Sequence, residues 1–367
     1  MTTRRIGVAA AFVGGALVPG DVAVADGRIA EIGLPGSGRG LAIPGLVDAQ
    51  VNGYAGIDLL GADAGAVVAL GRALLHDGVR WYQPTLISSP ERELVAALET
   101  LAAVMDRQEP GAGITGVHLE GPFISPERAG THPAEHLRAP DPALLERLLD
   151  AGPVRAVTLA PELPGALELI RICRARGVTV WLGHSNAGAP EAYAGFEAGA
   201  AAVTHLFNAM PPLAARAPGL AGAALASSGV AIQLIADGVH VCDELVRLAF
   251  AASPGRCSLV SDAIAAAGLG DGSYRLGELE IEVEGGVARR SDGVLAGSAA
   301  PLREGLERLF ELGIATGDAV AAVTERPARV LGDPTLGQLE PRGPADLAVV
   351  DEQLALREVF AGGEMLA

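Results

Sequence analysis

Five side chains able to do acid–base or metal chemistry each follow a short, mostly apolar run. Glu120 closes "GVHLE", His184 follows "VTVWLG", His205 follows "AAVT", His240 follows "VAIQLIADGV" and Asp262 follows "CSLVS". Polar groups of this kind are costly to bury unpaired, so their repeated placement after apolar segments points to one shared site. Glu120, His184 and His205 offer one carboxylate and two imidazoles, a three-ligand set that leaves a fourth position open for water on zinc or ferrous iron. Water held there loses several pKa units and is available as hydroxide near neutral pH. Asp262 is then expected to accept the water's proton and pass it to a leaving amine, which is the machinery of amide hydrolysis.

Residues so distant in sequence need a fold that gathers strand ends. From Leu41 onward, eight apolar segments alternate with helix-like ones. They are "LAIPGLVDAQVN", "VRWYQPTLI", "ITGVHLEGPFI", "VRAVTLAPE", "VTVWLGHSN", "AAVTHLFNAM", "VAIQLIADGVH" and "CSLVSDAI". Between them lie "PERELVAALETLAAVMDR", "PALLERLLDAG" and "GALELIRICRARG", with helical spacing of their apolar residues. Eight strand–helix units with near-continuous apolar strands predict an α/β fold, a closed parallel (β/α)₈ TIM-type barrel. Glu120 then ends the third strand, His184 the fifth, His205 the sixth, His240 the seventh and Asp262 the eighth, all on the carboxyl-terminal rim where barrels hold catalytic groups.

After Asp262, "YRLGELEIEVEGGVARRSDGVLAGSA" reads as a hairpin-rich excursion, followed by helices in "APLREGLERLFELG" and "TGDAVAAVTERPARVLG". The first forty residues and the tail "GQLEPRGPADLAVVDEQLALREVFAGGEML" share short strands and turns, with Asp26-Gly27 a strong hairpin signal. Both ends are expected to form one small β-sandwich domain, residues 1–43 and 334–367, beside a barrel of residues 44–333.

The 367 residues suit a barrel with an appendage, and 50% apolar residues with only 4% aromatics predict a core of small and branched aliphatics. A net charge of −17 excludes nucleic acid as the main partner but leaves room for a small phosphorylated ligand, which needs only one or two local cations. The chain has no lysine, so all 27 basic residues are arginine and a site bridging two metals through a carboxylated lysine is excluded. Cys173, Cys242 and Cys257 form no C-x-x-C pattern and are expected as small buried hydrophobes in a reducing compartment. No apolar run approaches the ~20 residues of a membrane span. "TTRRIGVAAAFVGGALVPG" imitates a secretory or twin-arginine signal. It continues directly into "DVAVADGRIAEIG", and cleavage near Gly20 would remove a strand of that unit, so a structural role is expected.

"GVHLEGPFIS", "GTHP", "GHSNA", "THLFNAMPPL", "PGLAG", "ADGVHV" and "LVSDAIAAAG", in that order, resemble the N-acetylglucosamine-6-phosphate deacetylase family of the amidohydrolase superfamily. The resemblance runs from "DGRIAEIG" to "GPADLAVVD", with "HLEGPF" and "HLFNAM" its most diagnostic pieces. It implies a cytoplasmic, homodimeric deacetylase that converts N-acetyl-D-glucosamine 6-phosphate to D-glucosamine 6-phosphate and acetate. Glu120, His184 and His205 match the family's ligands to one divalent metal per subunit, zinc or alternatively iron(II). Asp262 matches its general base and acid, and His132, in "GTHP", a histidine that contacts the substrate carbonyl and stabilises the oxyanion. Asn208 and Ala209 match a loop that binds the sugar phosphate. Arg216 and His240 match further phosphate and sugar contacts, the arginine reaching into the neighbouring subunit. Rival readings are an N-acetylgalactosamine-6-phosphate deacetylase, a D-aminoacylase-like enzyme or a scaffold without catalysis.

One departure bears on the metal. The superfamily usually places two histidines in the first barrel strand, where this chain has Gln50 and Asn52 in "GLVDAQVNG". Asp48, Gln50 and Asn52 alternate, so all three are expected to face the barrel interior. Amides compete poorly with imidazole for zinc or iron, so a single metal is expected, with Gln50 and Asn52 as hydrogen-bonding lining. The resemblance agrees, because some members of the deacetylase family carry this variant and work with one metal. His118 is expected to support Glu120 from the same strand face; His76 and His136 are read as surface or core residues, and Cys242 as close to the site without a role.

Overall fold

Valine, isoleucine and leucine fill the segments that the apolar pattern marks as strands, and these pair side by side. The computed structural model describes residues 3–36, 38–107 and 109–366. The barrel strands are Leu46–Val51, Val79–Ile87, Val117–Glu120, Val154–Leu159, Thr179–Leu182, Ala202–Val203, Ala231–Leu234 and Cys257–Leu259, each parallel to the next. A further two-residue strand, Gly113–Ile114, pairs with the start of the second, so the third arrives in two pieces. The barrel closes where Val51 and Ala263 form a parallel bridge and Asn52 N–H donates to the Ala263 carbonyl at 2.8 Å. This is the expected (β/α)₈ barrel, and its register sets Ile87, Glu120 and Thr158 level at one rim.

Helices Glu91–Arg107, Pro142–Ala151 and Ala166–Ala175 fall where their spacing predicts. Asp141 caps the second of these by accepting from the amides of Ala143 and Leu144, with Pro142 occupying a position whose N–H would go unused. The segment "TGDAVAAVTERPARVLG" forms two helices, Thr316–Val323 and Glu325–Val330. Pro327 cannot donate to the carbonyl of Val323 and its ring crowds it, so the chain breaks at Thr324.

The excursion after Asp262 is an antiparallel sheet of Gly272–Leu276, Leu279–Glu284 and Val287–Arg289. Its Leu276, Ile281, Val283 and Ala288 pack on Ile87 and Ile264, which anchors it over the rim that carries the polar residues.

Both chain ends share one six-stranded sheet. Ala10–Val13, Ala16–Pro19 and Leu41–Pro44 come from the beginning of the chain, and Leu347–Val350, Leu356–Ala361 and Glu364–Met365 from its end. A second sheet, Arg4–Arg5, Asp21–Ala25 and Arg28–Leu34, packs over it through Val22, Ile29, Leu347 and Phe360. Asp26 and Gly27, at φ +52° and +75°, make the tight turn their sequence signals. The signal-like stretch is therefore built into sheet from Arg4 to Pro19; its Thr2 lies outside the described residues.

Among the described residues no helix is long and apolar enough to cross a membrane. Cys173 and Cys257 are buried as expected, and burial pushes both thiols up to about 12. Cys242 corrects that reading, because it is exposed just ahead of helix Asp243–Ala252, where the loop leaving the seventh strand meets solvent.

Candidate active site

The ends of the third, fifth and sixth strands bring Glu120, His184 and His205 into contact. Glu120 Oε1 lies 3.1 Å from His205 Nε2 and 3.4 Å from His184 Nε2, and the two Nε2 atoms are 3.1 Å apart. His184 donates its Nδ1–H to the Arg128 carbonyl at 2.8 Å, which leaves the Nε2 lone pair aimed at the cluster. Burial opposes ionisation of Glu120, but the neighbouring imidazoles of His132, His184 and His205 outweigh it and hold the carboxyl well below its usual range. Burial also works against a charged His205, and the hydrogen bond and charge of Glu120 reverse this and raise it. One carboxylate oxygen and two imidazole nitrogens, all buried and within 4.8 Å of one another, form a donor set that fits a divalent cation of borderline softness.

The backbone at this rim is strained. His184, His205, Asp262 and Ala209 hold φ of +46°, +28°, +50° and +48°. Side chains other than glycine adopt such conformations at ~1–3 kcal/mol each, and they collect at sites that the surrounding fold over-determines.

Asp262 sits beside the cluster. Its Oδ1 accepts from Asn52 Nδ2 at 2.8 Å and from Gln50 Nε2 at 3.0 Å, while Oδ2 has no hydrogen-bond partner among the described residues. The same Gln50 nitrogen reaches Glu120 Oε1 at 3.0 Å, so one amide bridges two carboxylates. Burial, and after it the charge of Glu120, raises Asp262 to about 6. Asp48 faces the same interior, where its Oδ1 accepts from the Ser261 amide at 3.1 Å and ties the first strand to the eighth.

His132 completes this side of the cavity. Its Nδ1 accepts from the Ser88 amide at 3.2 Å and lies 2.9 Å from Ser88 Oγ. A backbone N–H can only donate, so the ring proton is on Nε2, which lies 3.8 Å from Glu120 Oε2. Burial, then the charge of His184, lowers His132 to about 4, so it is a neutral donor near pH 7. Ser88, at the end of the second strand, escaped the sequence reading because a lone serine carries no spacing signal.

A cavity of about 300 Å³ opens above these groups and is also lined by Asn208, Ala209 and His240. His240 Nδ1 lies 2.7 Å from Asp237 Oδ2, and Asp237 also accepts from Ser298 Oγ at 2.9 Å. Burial opposes the charge on Asp237, but the His240 contact prevails and lowers its pKa. Arg216 stands apart, exposed on the loop after Met210 and outside the lining of this chain's cavity. The arginine that does line it is Arg289, on the last hairpin strand.

His118 lies in the layer beneath, where it bonds Thr85 Oγ1 at 3.1 Å and Thr158 Oγ1 at 2.8 Å and not Glu120. His76 is exposed at a helix end, and His136 lies 3.4 Å from Glu278.

The chain matches the amidohydrolase family over residues 41–365. It is 39% identical over 354 residues to human N-acetylglucosamine-6-phosphate deacetylase, covering 92% of this chain and 86% of that protein. It is 35% identical over 351 residues to N-acetylgalactosamine-6-phosphate deacetylase of Escherichia coli O157:H7, covering 93% of each. A mutant of Mycobacterium smegmatis N-acetyl-D-glucosamine-6-phosphate deacetylase, solved in complex with N-acetyl-D-glucosamine-6-phosphate, has the same fold at a TM-score of 0.91 and 33% identity, covering 100% of this chain and 99% of that one. A family match that spans the barrel and reaches into the terminal sheet, joined to relatives similar along most of their length, makes this protein a member of the amidohydrolase family.

Proposed function

We propose that this protein hydrolyses the acetamide of N-acetyl-D-glucosamine 6-phosphate to D-glucosamine 6-phosphate and acetate. The observation that carries the reading is the buried Glu120–His184–His205 cluster with Asp262 beside it, in a chain related along its length to amino-sugar phosphate deacetylases. Glu120, His184 and His205 would hold one divalent cation per subunit, zinc or iron(II), which when bound supplies Lewis acidity and an acidified water. His132 donates from Nε2 to the amide carbonyl oxygen and stabilises negative charge as it develops there. Asp262 is held by Gln50 and Asn52 through Oδ1, so its free Oδ2 takes the proton of the attacking water and delivers it to the departing nitrogen. Asn208, Ala209 and His240 hold the sugar phosphate. Arg216, exposed and outside its own cavity, reaches the site of a second copy in a homodimer. Three unbridged cysteines support a cytoplasmic setting.

The test is acetate release from N-acetylglucosamine 6-phosphate after chelation and stepwise return of zinc or iron(II), with Asp262→Asn alongside. Activity restored at one metal per chain and absent in the variant supports the reading; metal uptake without acetate release overturns the substrate. The Escherichia coli relative gives a reason to assay the galactosamine epimer in parallel. A higher kcat/KM for that epimer would transfer the assignment to it.

A further inference from the structure

We infer that Arg289 is a phosphate-recognition residue of the catalytic cavity, supplied by the chain's own hairpin. The inference rests on the proposed substrate and adds a residue that neither strand-end spacing nor family resemblance marks. Arg289 lines the same cavity as Asn208, Ala209, His240 and Asp262.

Its guanidinium is free for a ligand. Among the described residues it makes one hydrogen bond, from Nη1 to the Gly293 carbonyl at 2.8 Å, and no ion pair. The neighbouring Arg290 is already engaged, pairing with Asp292 at 2.6 Å and reaching the Gly130 carbonyl at 3.4 Å.

The position of Arg289 is fixed from below. Ala288 is buried in the hairpin's apolar contact with Ile87 and Ile264, so alternation along the strand keeps Arg289 out of that contact, exposed where the hairpin borders the cavity. A bridge to Leu295, which also lines the cavity, sets its register. The cavity already contains the carboxyls of Glu120 and Asp262 on a protein of net charge −17, so a phosphomonoester dianion requires a local cation. Within one chain's own cavity lining Arg289 is the arginine placed to provide it, alongside Arg216 of a second copy, with donors in the forked geometry that fits phosphate oxygens.

The experiment compares wild type, Arg289→Gln and Arg289→Lys with phosphorylated and unphosphorylated N-acetylglucosamine, and measures inhibition by inorganic phosphate. Losing a charged hydrogen-bond donor predicts a KM for the phosphorylated sugar raised roughly ten- to hundredfold in Arg289→Gln, with kcat changed much less. The preference for the phosphorylated sugar collapses by the same factor, phosphate inhibition weakens and Arg289→Lys recovers part of each. Equal losses on both sugars, or an unchanged KM and phosphate inhibition, overturn the inference. If wild type releases no acetate from the phosphorylated sugar, the proposed function falls. Calorimetric titration with inorganic phosphate then decides Arg289 separately, and equal affinity in wild type and Arg289→Gln overturns it.

Discussion

At the residue scale, the two amides that replace histidines in the first strand have a definite use. Gln50 and Asn52 donate to Asp262, and both bonds favour its ionised form, while burial and Glu120 push the other way and leave it at about 6. Only the carboxylate can accept a proton. Activity is therefore expected to fall about tenfold per unit as pH drops below this value, with the acid limb of kcat/KM at or below about 6 once a bound cation adds its charge. Asn52→Ala removes a donor to the carboxylate, so that limb should move to higher pH; a limb that stays put or moves down contradicts the assigned bond. Asp262→Asn should lower kcat by about 10²–10⁴, the usual range for a positioned base, while metal content stays near that of wild type. Elemental analysis of the variant separates loss of the base from loss of the cation.

At the element scale, the hairpin sheet from Gly272 to Arg289 joins packing on the barrel rim to the cavity lining. Ile281 is fully buried between this sheet and the barrel rim, beside Ile87 and Ile264. Ile281→Ala should cost about 2–4 kcal/mol of local packing, since a truncated core side chain loses both transfer energy and contacts. The expected readout is faster amide hydrogen exchange in the hairpin strands, with KM for the phosphorylated sugar rising more than kcat falls. A uniform loss of kcat with unchanged exchange would mean that the hairpin does not act through binding. Apolar alternation made these strands legible in the sequence, but nothing local revealed which face of the barrel they cover, because that depends on contact with Ile87, about 200 positions earlier.

At the scale of the whole molecule, two expectations concern assembly. One firmly held metal per chain should be found by elemental analysis, and Glu120→Gln should weaken its retention during dialysis; two per chain would overturn the role given to Gln50 and Asn52. If Arg216 serves a second copy, neither Arg216→Ala nor Asp262→Asn homodimers should match wild type. Mixed dimers should recover activity, since one of their two sites keeps both native residues. Lack of recovery on subunit exchange would place Arg216 outside the reaction.

The sequence by itself determined the barrel, the order of its strands and the residues at their ends. Those features follow from short-range apolar periodicity and from the geometry of parallel strands, which carries Glu120, His184, His205 and Asp262 to one rim. It did not determine which groups those residues meet. The bridge from Gln50 to both carboxylates, the tautomer that Ser88 imposes on His132, the left-handed backbone at His184 and Asp262, and the presence of Arg289 in the cavity lining came only with the tertiary structure. Each depends on loops and strand ends whose paths are set by distant packing, and local propensity carries no information about a partner that the chain meets only when the barrel closes.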